Sequence, residues 1–210
     1  MDKLDLGTWE RREAFEFFSR ISDPFYMVTF RQDVTNLYRY VKSRGLSFYY
    51  GMVWACAGAV NDVAAFRVAL CGGELAVLPE RKPSFTDLRP GAEQFHIVTM
   101  SLLDDVDAFC REASRRSRTQ GRFIDETAEG DDLIYFSCLP WLELTALTNE
   151  RDLAAPGAAD DSIPHIAWGK YTEENGRKKL GLSVEINHRF IDGVHLGRFA
   201  ERLSYRIESL

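Results

Sequence analysis

The chain has 210 residues, enough for one substantial core and few for two, and its 45% hydrophobic and 28% charged residues exclude a disordered polymer. A formal net charge of −6, with Lys and Arg spread throughout, argues against nucleic acid or an anionic membrane as a partner, since both favour a basic patch. No run approaches the ~20 apolar residues that span a bilayer, and the acidic start lacks the order of a secretion signal. One domain over residues 1–210, located in the cytoplasm, is the expectation.

Taken in chain order, Thr8 is a good N-cap for a first helix, with Glu10 in its first turn. Pro24 ends the following turn and residues 25–30 are rich in strand formers. Asp33 caps a second helix through Leu37, Tyr38 and Val41, which Gly45 closes. Residues 48–60 are apolar on nearly every face, the mark of a buried central helix. Two β-rich runs, 66–71 and 74–78, flank Gly72-Gly73 as in a hairpin. Residues 95–102 read as a strand and 103–118 as an amphipathic helix with an acidic start and a basic end. Further strands are expected at 133–138 and 142–148, around Pro140-Trp141. Residues 149–161, rich in Ala and Asp, suit a mobile loop, and 166–172 with 179–187 form a second hairpin across Asn175-Gly176. A last helix spans about 194–210. Helices interleaved with hairpins predict an α/β fold of the α+β type, with a mixed β-sheet flanked by helices.

Cys56, Cys71, Cys110 and Cys138 form no Cys-x-x-Cys pair and sit among apolar neighbours, which suits buried, inert thiols better than disulfides or a nucleophile. Among four histidines, His96 lies in an apolar strand as a structural residue would, His165 follows Pro164 without a neighbouring ligand or base, and His195 opens the last helix as a solvated cap. Their spacings match no compact zinc pattern, so no metal is expected. His188 differs: it ends a strongly patterned strand, just before a turn, with Asp192 and Gly193 four and five residues on. An imidazole held at a strand end titrates near neutrality and is suited to take and return a hydroxyl proton.

The segment His188-Arg-Phe-Ile-Asp192-Gly193-Val-His195, preceded by Leu139-Pro140-Trp141 and Gly169-Lys170-Tyr171, resembles the chloramphenicol acetyltransferase family. The resemblance extends to Trp9-Glu-Arg-Arg-Glu-Ala-Phe-Glu-Phe-Phe, to Phe48-Tyr49 and to the first hairpin, in the family's order over nearly the whole chain. Dihydrolipoyl acyltransferase domains share the histidine motif but match the N-terminal landmarks less well. The family resemblance implies a homotrimer with sites at subunit boundaries. It also implies acetyl-CoA as cosubstrate and a hydroxylated small molecule, chloramphenicol or a relative, as acceptor. His188 would be the general base, and Asp192, paired with Arg11, would brace its loop. Phe17, Phe18, Tyr26 and Phe95 match positions lining the acceptor pocket.

Several positions depart from the family pattern. Ala146 stands where a serine stabilises the tetrahedral oxyanion, and loss of one such donor costs roughly 10²–10³ in rate. Thr145 is adjacent but would face the other side of a strand, and Thr148 would lie about 6.6 Å further along. Ala167 replaces a threonine, Phe18 a tyrosine, and Asn187 a histidine that usually precedes the base. These changes remove polarity from the acceptor end. They leave two alternatives beside O-acetylation: a catalytically weak or silent homologue that binds a ligand or acyl-CoA, or an acyltransferase with a larger or carrier-bound donor.

Overall fold

A computed structural model describes residues 1–155 and 157–210. It opens with strand β1 (Asp2–Lys3) and helix α1 (Arg12–Phe18). The helix starts four residues after the expected Thr8 cap, because residues 5–9 close a turn of their own. In that turn the Asp5 side chain accepts from the Gly7 amide at 2.9 Å, and Trp9 N donates to Asp5 O at 3.0 Å. Strand β2 (Phe25–Asp33) leads into α2 (Thr35–Ser43), where Asp33 Oδ1 accepts from both the amide and the hydroxyl of Thr35. Ser47 caps α3 (Phe48–Asn61), whose residues 50–60 are all buried, as a helix apolar on every side must be.

The hairpin β3 (Val68–Cys71) and β4 (Glu74–Val77) joins β1 in a small three-stranded sheet. The remaining elements are β5 (Lys82–Asp87), β6 (His96–Thr99), α4 (Val106–Thr119), β7 (Leu133–Leu139), β8 (His165–Gly169), β9 (Thr172–Glu174), β10 (Arg177–Asn187) and α5 (Gly193–Glu208). Asn175 (φ 52°) and Gly176 (φ 74°) make the left-handed turn between β9 and β10. A seven-stranded sheet runs in the order β2-β10-β8-β7-β5-β6, with β9 beside β10. β7 lies parallel to β5 and β8 while the other pairs are antiparallel, so the sheet is mixed, as the interleaved pattern predicts. Helices α3 and α5 cover it with a shared core in which Phe66, Phe199 and Leu203 are fully buried.

One expected strand is absent, two unexpected strands, β1 and β5, are present, and the strand expected over 166–172 divides into β8 and β9. β5 contains Pro83, which demotes a strand reading because it lacks a ladder donor, yet it pairs with both β6 and β7. Residues 142–148 form no strand. β7 already has β5 and β8 as neighbours, so the chain leaving Leu139 meets no free edge. It crosses the sheet instead. A Cβ on Gly169 would come within 2.5 Å of Leu142 O, and one on Gly181 closer still to Leu144 O, so both crossings need glycine. The backbone is satisfied piecemeal: Leu142 O accepts from Lys170 N (2.7 Å), Leu147 N donates to Ser183 Oγ (3.2 Å), and Asn149 N donates to Glu185 Oε2 (2.9 Å).

Arg81 stands between the two sheets with no solvent exposure. Its guanidinium donates to the carbonyls of Phe66, Val68, Asp131 and Leu133 and to Ser162 Oγ. Burial lowers its pKa to about 10, so the charge persists at neutral pH, held by carbonyl dipoles.

Candidate active site

Strand β10 pairs with β2 residue by residue, Ile186 opposite Tyr26 and Asn187 opposite Phe25. That register delivers His188 to the end of the sheet, where its amide donates to Pro24 O at 2.8 Å. The imidazole stacks on Phe18 (centroids 3.9 Å apart, planes at 22°) and lies 4.3 Å from the Tyr26 ring. One ring nitrogen, Nε2, is 3.4 Å from Asp192 Oδ1. The ring is 29% exposed, so it is held between aromatic walls yet open on one side.

Asp192 is the hub of the loop that carries this ring. It caps α5 by accepting from Gly193 N at 2.9 Å, while its own amide donates to Nδ1 of His195 at 2.9 Å, a capping box closed by histidine. Arg11 reaches across from the first residue before α1, giving Nη1 to Asp192 Oδ2 at 3.0 Å and Nη2 to the His188 carbonyl at 3.1 Å. The Arg11 guanidinium, then the Gly193 amide, pulls the Asp192 pKa down to about 2. Tyr26 is the reverse case: burial first, then the Asp192 charge, pushes its phenol up to about 12, and its hydroxyl has no partner among the described residues.

Of the residues singled out in the sequence, Arg11, Phe18, Tyr26, His188 and Asp192 meet at this point. Phe17 stands at its rim, 61% exposed and edge-on to Phe18 at 5.1 Å. Phe95 does not join them. It lies at the other side of the sheet, 45% exposed, against Phe123 (5.3 Å), in a groove of about 920 Å³ over β5, β6 and β7. None of Arg11, Phe18, Tyr26, His188 or Asp192 lines that groove. The crossing segment after Leu139 forms part of its wall, with Leu147 and Thr148 facing it. Thr145 and Ala146 are exposed on that irregular segment, so the expected alternation of their side chains across a strand does not apply.

Two histidines differ from their sequence reading. His195 is buried, not solvated, because its ring closes the capping box. His165 has neighbours after all: the Tyr135 ring at 5.1 Å and the charges of Arg151, Asp161 and Glu185. Burial, reinforced by Arg151, lowers its pKa to about 4. His96 is structural as read, its Nε2 3.1 Å from both Ser117 oxygens. All four thiols are free, but only Cys56 and Cys110 are buried; Cys71 and Cys138 are half-buried. Burial raises every one, Cys110 and Cys138 to about 12, which opposes thiolate chemistry. Sequence reading missed Tyr135 and Glu129 in the groove: β7 alternation marks Tyr135 as facing away from Phe136, but Glu129 sits in a loop with no periodic signal. Among the described residues no group of three or more metal-ligating side chains gathers, and no helix is long and apolar enough to cross a membrane.

The fold superimposes on that of a solved chloramphenicol acetyltransferase with a TM-score of 0.85, at 24% identity over 98% of this chain and 99% of the other. Two relatives match almost end to end. Chloramphenicol acetyltransferase 3 of Escherichia coli is 28% identical over 96% of this chain and 94% of its own length. The chloramphenicol acetyltransferase of Streptomyces acrimycini is 32% identical over 95% and 91% respectively. These similarities define an acyltransferase. The family model described as chloramphenicol acetyltransferase matches residues 1–204, and the chain belongs to that family.

Proposed function

We propose that the protein is a CoA-dependent O-acetyltransferase that moves acetyl from acetyl-CoA to a hydroxyl of chloramphenicol or a related small molecule, with His188 as general base. The observation that carries this reading is the clamp on the His188 loop, Arg11 to Asp192 and to the His188 carbonyl, around an imidazole left open on one side. The imidazole takes the acceptor proton as the oxygen attacks the thioester carbon, and returns it to the departing CoA sulfur. Asp192, saturated by Arg11 and the α5 amide, acts on the ring's position and not as a proton carrier. The partition of the site supports a homotrimer: His188 and the Phe95 groove belong to different places in one chain and would meet across a subunit boundary. In that arrangement Phe17, Phe18 and Tyr26 frame the base, and Phe95 holds the acceptor.

A second reading, a catalytically weak homologue that binds its ligands, rests on the resemblance, which puts Ala146, without a hydroxyl, at the oxyanion position; Ala146 itself lies outside the groove lining, where Ser137 and Thr148 carry hydroxyls. Thiol release from acetyl-CoA with chloramphenicol, for the wild type and His188→Ala, separates the two. Histidine-dependent release supports the enzyme; equal background rates for both proteins support the silent homologue.

A further inference from the structure

Helix α1 is seven residues long, too short to hold its shape or its place unaided. It presents Phe18, whose ring stacks on the His188 imidazole. Both ends of the helix are tied to the loop that carries that imidazole. At the N-terminal end Arg11, the residue before the helix, bonds Asp192 and the His188 carbonyl. At the C-terminal end the partner is Arg189, next in sequence to His188, whose Nε donates to the Ser19 hydroxyl at 2.9 Å. Ser19 follows the last helical residue and gives its own hydroxyl proton back to Phe15 O at 2.6 Å. Phe18 immediately precedes Ser19, so the stacked ring sits at the end that Arg189 holds.

Arg189 is enclosed by the chain, its side chain only 8% exposed. Nη1 donates to Ala159 O at 3.0 Å and pairs with Asp160, and the guanidinium lies 4.5 Å from the centre of the Phe15 ring. Asn187, on the other side of His188, grips the same segment, its amide donating to Ala159 O (2.8 Å) and Asp161 O (2.9 Å). Its side-chain oxygen accepts from the Arg189 amide at 3.0 Å, so both hydrogens and the oxygen of this buried amide are used. The segment is braced in turn, Asp161 by Arg151 and Arg151 by Glu185 of β10. Asn187, which stands where the family pattern has a histidine, therefore belongs to this brace and not to the acceptor end.

We infer, on the reading of His188 as the base, that Arg189 is a positioning residue for it. By tying the C-terminal end of α1 to the His188 loop, Arg189 fixes Phe18 against the imidazole and sets the angle of the ring for proton transfer. Without that tie Arg11 still anchors the N-terminal end, and α1 is free to pivot away from the ring. The demand is geometric. One planar guanidinium reaches Ser19, Ala159 and Asp160 through separate N–H groups, which a lysine ammonium, a compact point charge, does not reproduce. Transfer falls steeply when a reacting group is misplaced, so a loosened ring costs rate.

Arg189→Met keeps an apolar stem over Phe15 and removes the fork. It is expected to lower kcat about tenfold in the thiol-release assay, with KM for acetyl-CoA within about twofold of wild type. Arg189→Lys keeps the charge and is expected to fall equally; full recovery by lysine would trace the effect to charge and refute the tie. The His188 ring gives a direct readout by NMR of the intact protein with isotope-labelled histidine, its signal identified by its loss in His188→Ala. Stacking on Phe18 moves that signal upfield, and Arg189→Met is expected to return it part of the way toward the position of free histidine. Should the methionine variant fail to fold, Ser19→Ala takes away the acceptor of Nε instead. It is expected to move the signal the same way, with about a threefold loss of kcat. Folded variants with a lower Tm but unchanged kcat and an unmoved His188 signal would make Arg189 a structural residue and overturn the inference. Failure of the base reading is a separate result: transfer that survives His188→Ala removes the base, while the NMR signal still decides whether Arg189 holds the ring.

Discussion

The His188 end and the Phe95 groove are built on opposite principles. At the first, the polar atoms of the loop are committed, Asp192 to Arg11, Gly193 and the α5 cap, the His188 amide to Pro24 and the His188 carbonyl to Arg11, while the Tyr26 hydroxyl and Arg11 Nε have no partner among the described residues. At the second, Asp87, Glu93, Glu129 and Glu150 form no ion pair, and His165 Nε2 has no partner, among the described residues. A reacting base has to be placed before the substrate arrives, and that placement is done by bonds within the chain. A recognition surface has to leave its bonds for the ligand. On the proposed function, the two regions are the catalytic and the selective halves of one site, divided between neighbouring copies.

The comparison is broken most easily at the base. His188→Ala is expected to lower kcat/KM by about 10²–10⁴, with a modest fall in Tm from the lost packing on Phe18 and Tyr26; a retained rate in the thiol-release assay would remove His188 from the mechanism. Next in size is a gain. Ala146→Ser restores a hydroxyl donor and is expected to raise kcat about tenfold or more, and no gain in steady-state assays would mean that the crossing segment does not face the reacting carbonyl. Asp192→Asn comes third. It keeps the cap but removes the charge opposite Arg11, so activity should fall about tenfold through a misplaced ring, together with some stability. The sign of the stability effect follows from the Asp192 pKa, depressed to about 2 in the fold. A depressed carboxylate contributes stability above its unfolded pKa of about 3.9 and loses it as pH falls toward 2. Thermal unfolding of wild type and Asp192→Asn should accordingly differ at pH 5 to 7 and converge as pH approaches about 2; a constant gap would contradict the Arg11 pair. Tyr26→Phe is the smallest: its hydroxyl has no partner among the described residues, so Tm should stay within about 1 °C or rise slightly. A marked drop would show that the phenol is bonded in the assembled protein.

Much of the base's surroundings was legible in the sequence because it depends on local features. The strand ending at Asn187, the cap at Asp192 and the glycine after it are consecutive, and the family motif supplies Arg11 as the distant partner. The crossing segment was not legible. Residues 142–148 alternate as a strand does, and only the sheet order, which leaves β7 without a free edge, forbids it. β5 was hidden for the converse reason: Pro83 argues against a strand, and tertiary pairing overrides it. The groove's acidity was equally hidden, since Asp87, Glu93, Glu129 and Glu150 come from four separate stretches and only the fold makes them neighbours.

The central claim, that the base of one copy serves the groove of another, is tested most directly by complementation. His188→Ala and Ser137→Trp, the second placing an indole in the groove that Ser137 of β7 helps to line, are each expected to be inactive alone. Co-expressed with different tags and purified as mixed trimers, they should regain about one third of wild-type sites, since one of the three interfaces in a two-to-one trimer joins an intact histidine to an intact groove. Mixed oligomers as inactive as the parents would place both halves of the site within a single chain and contradict the account.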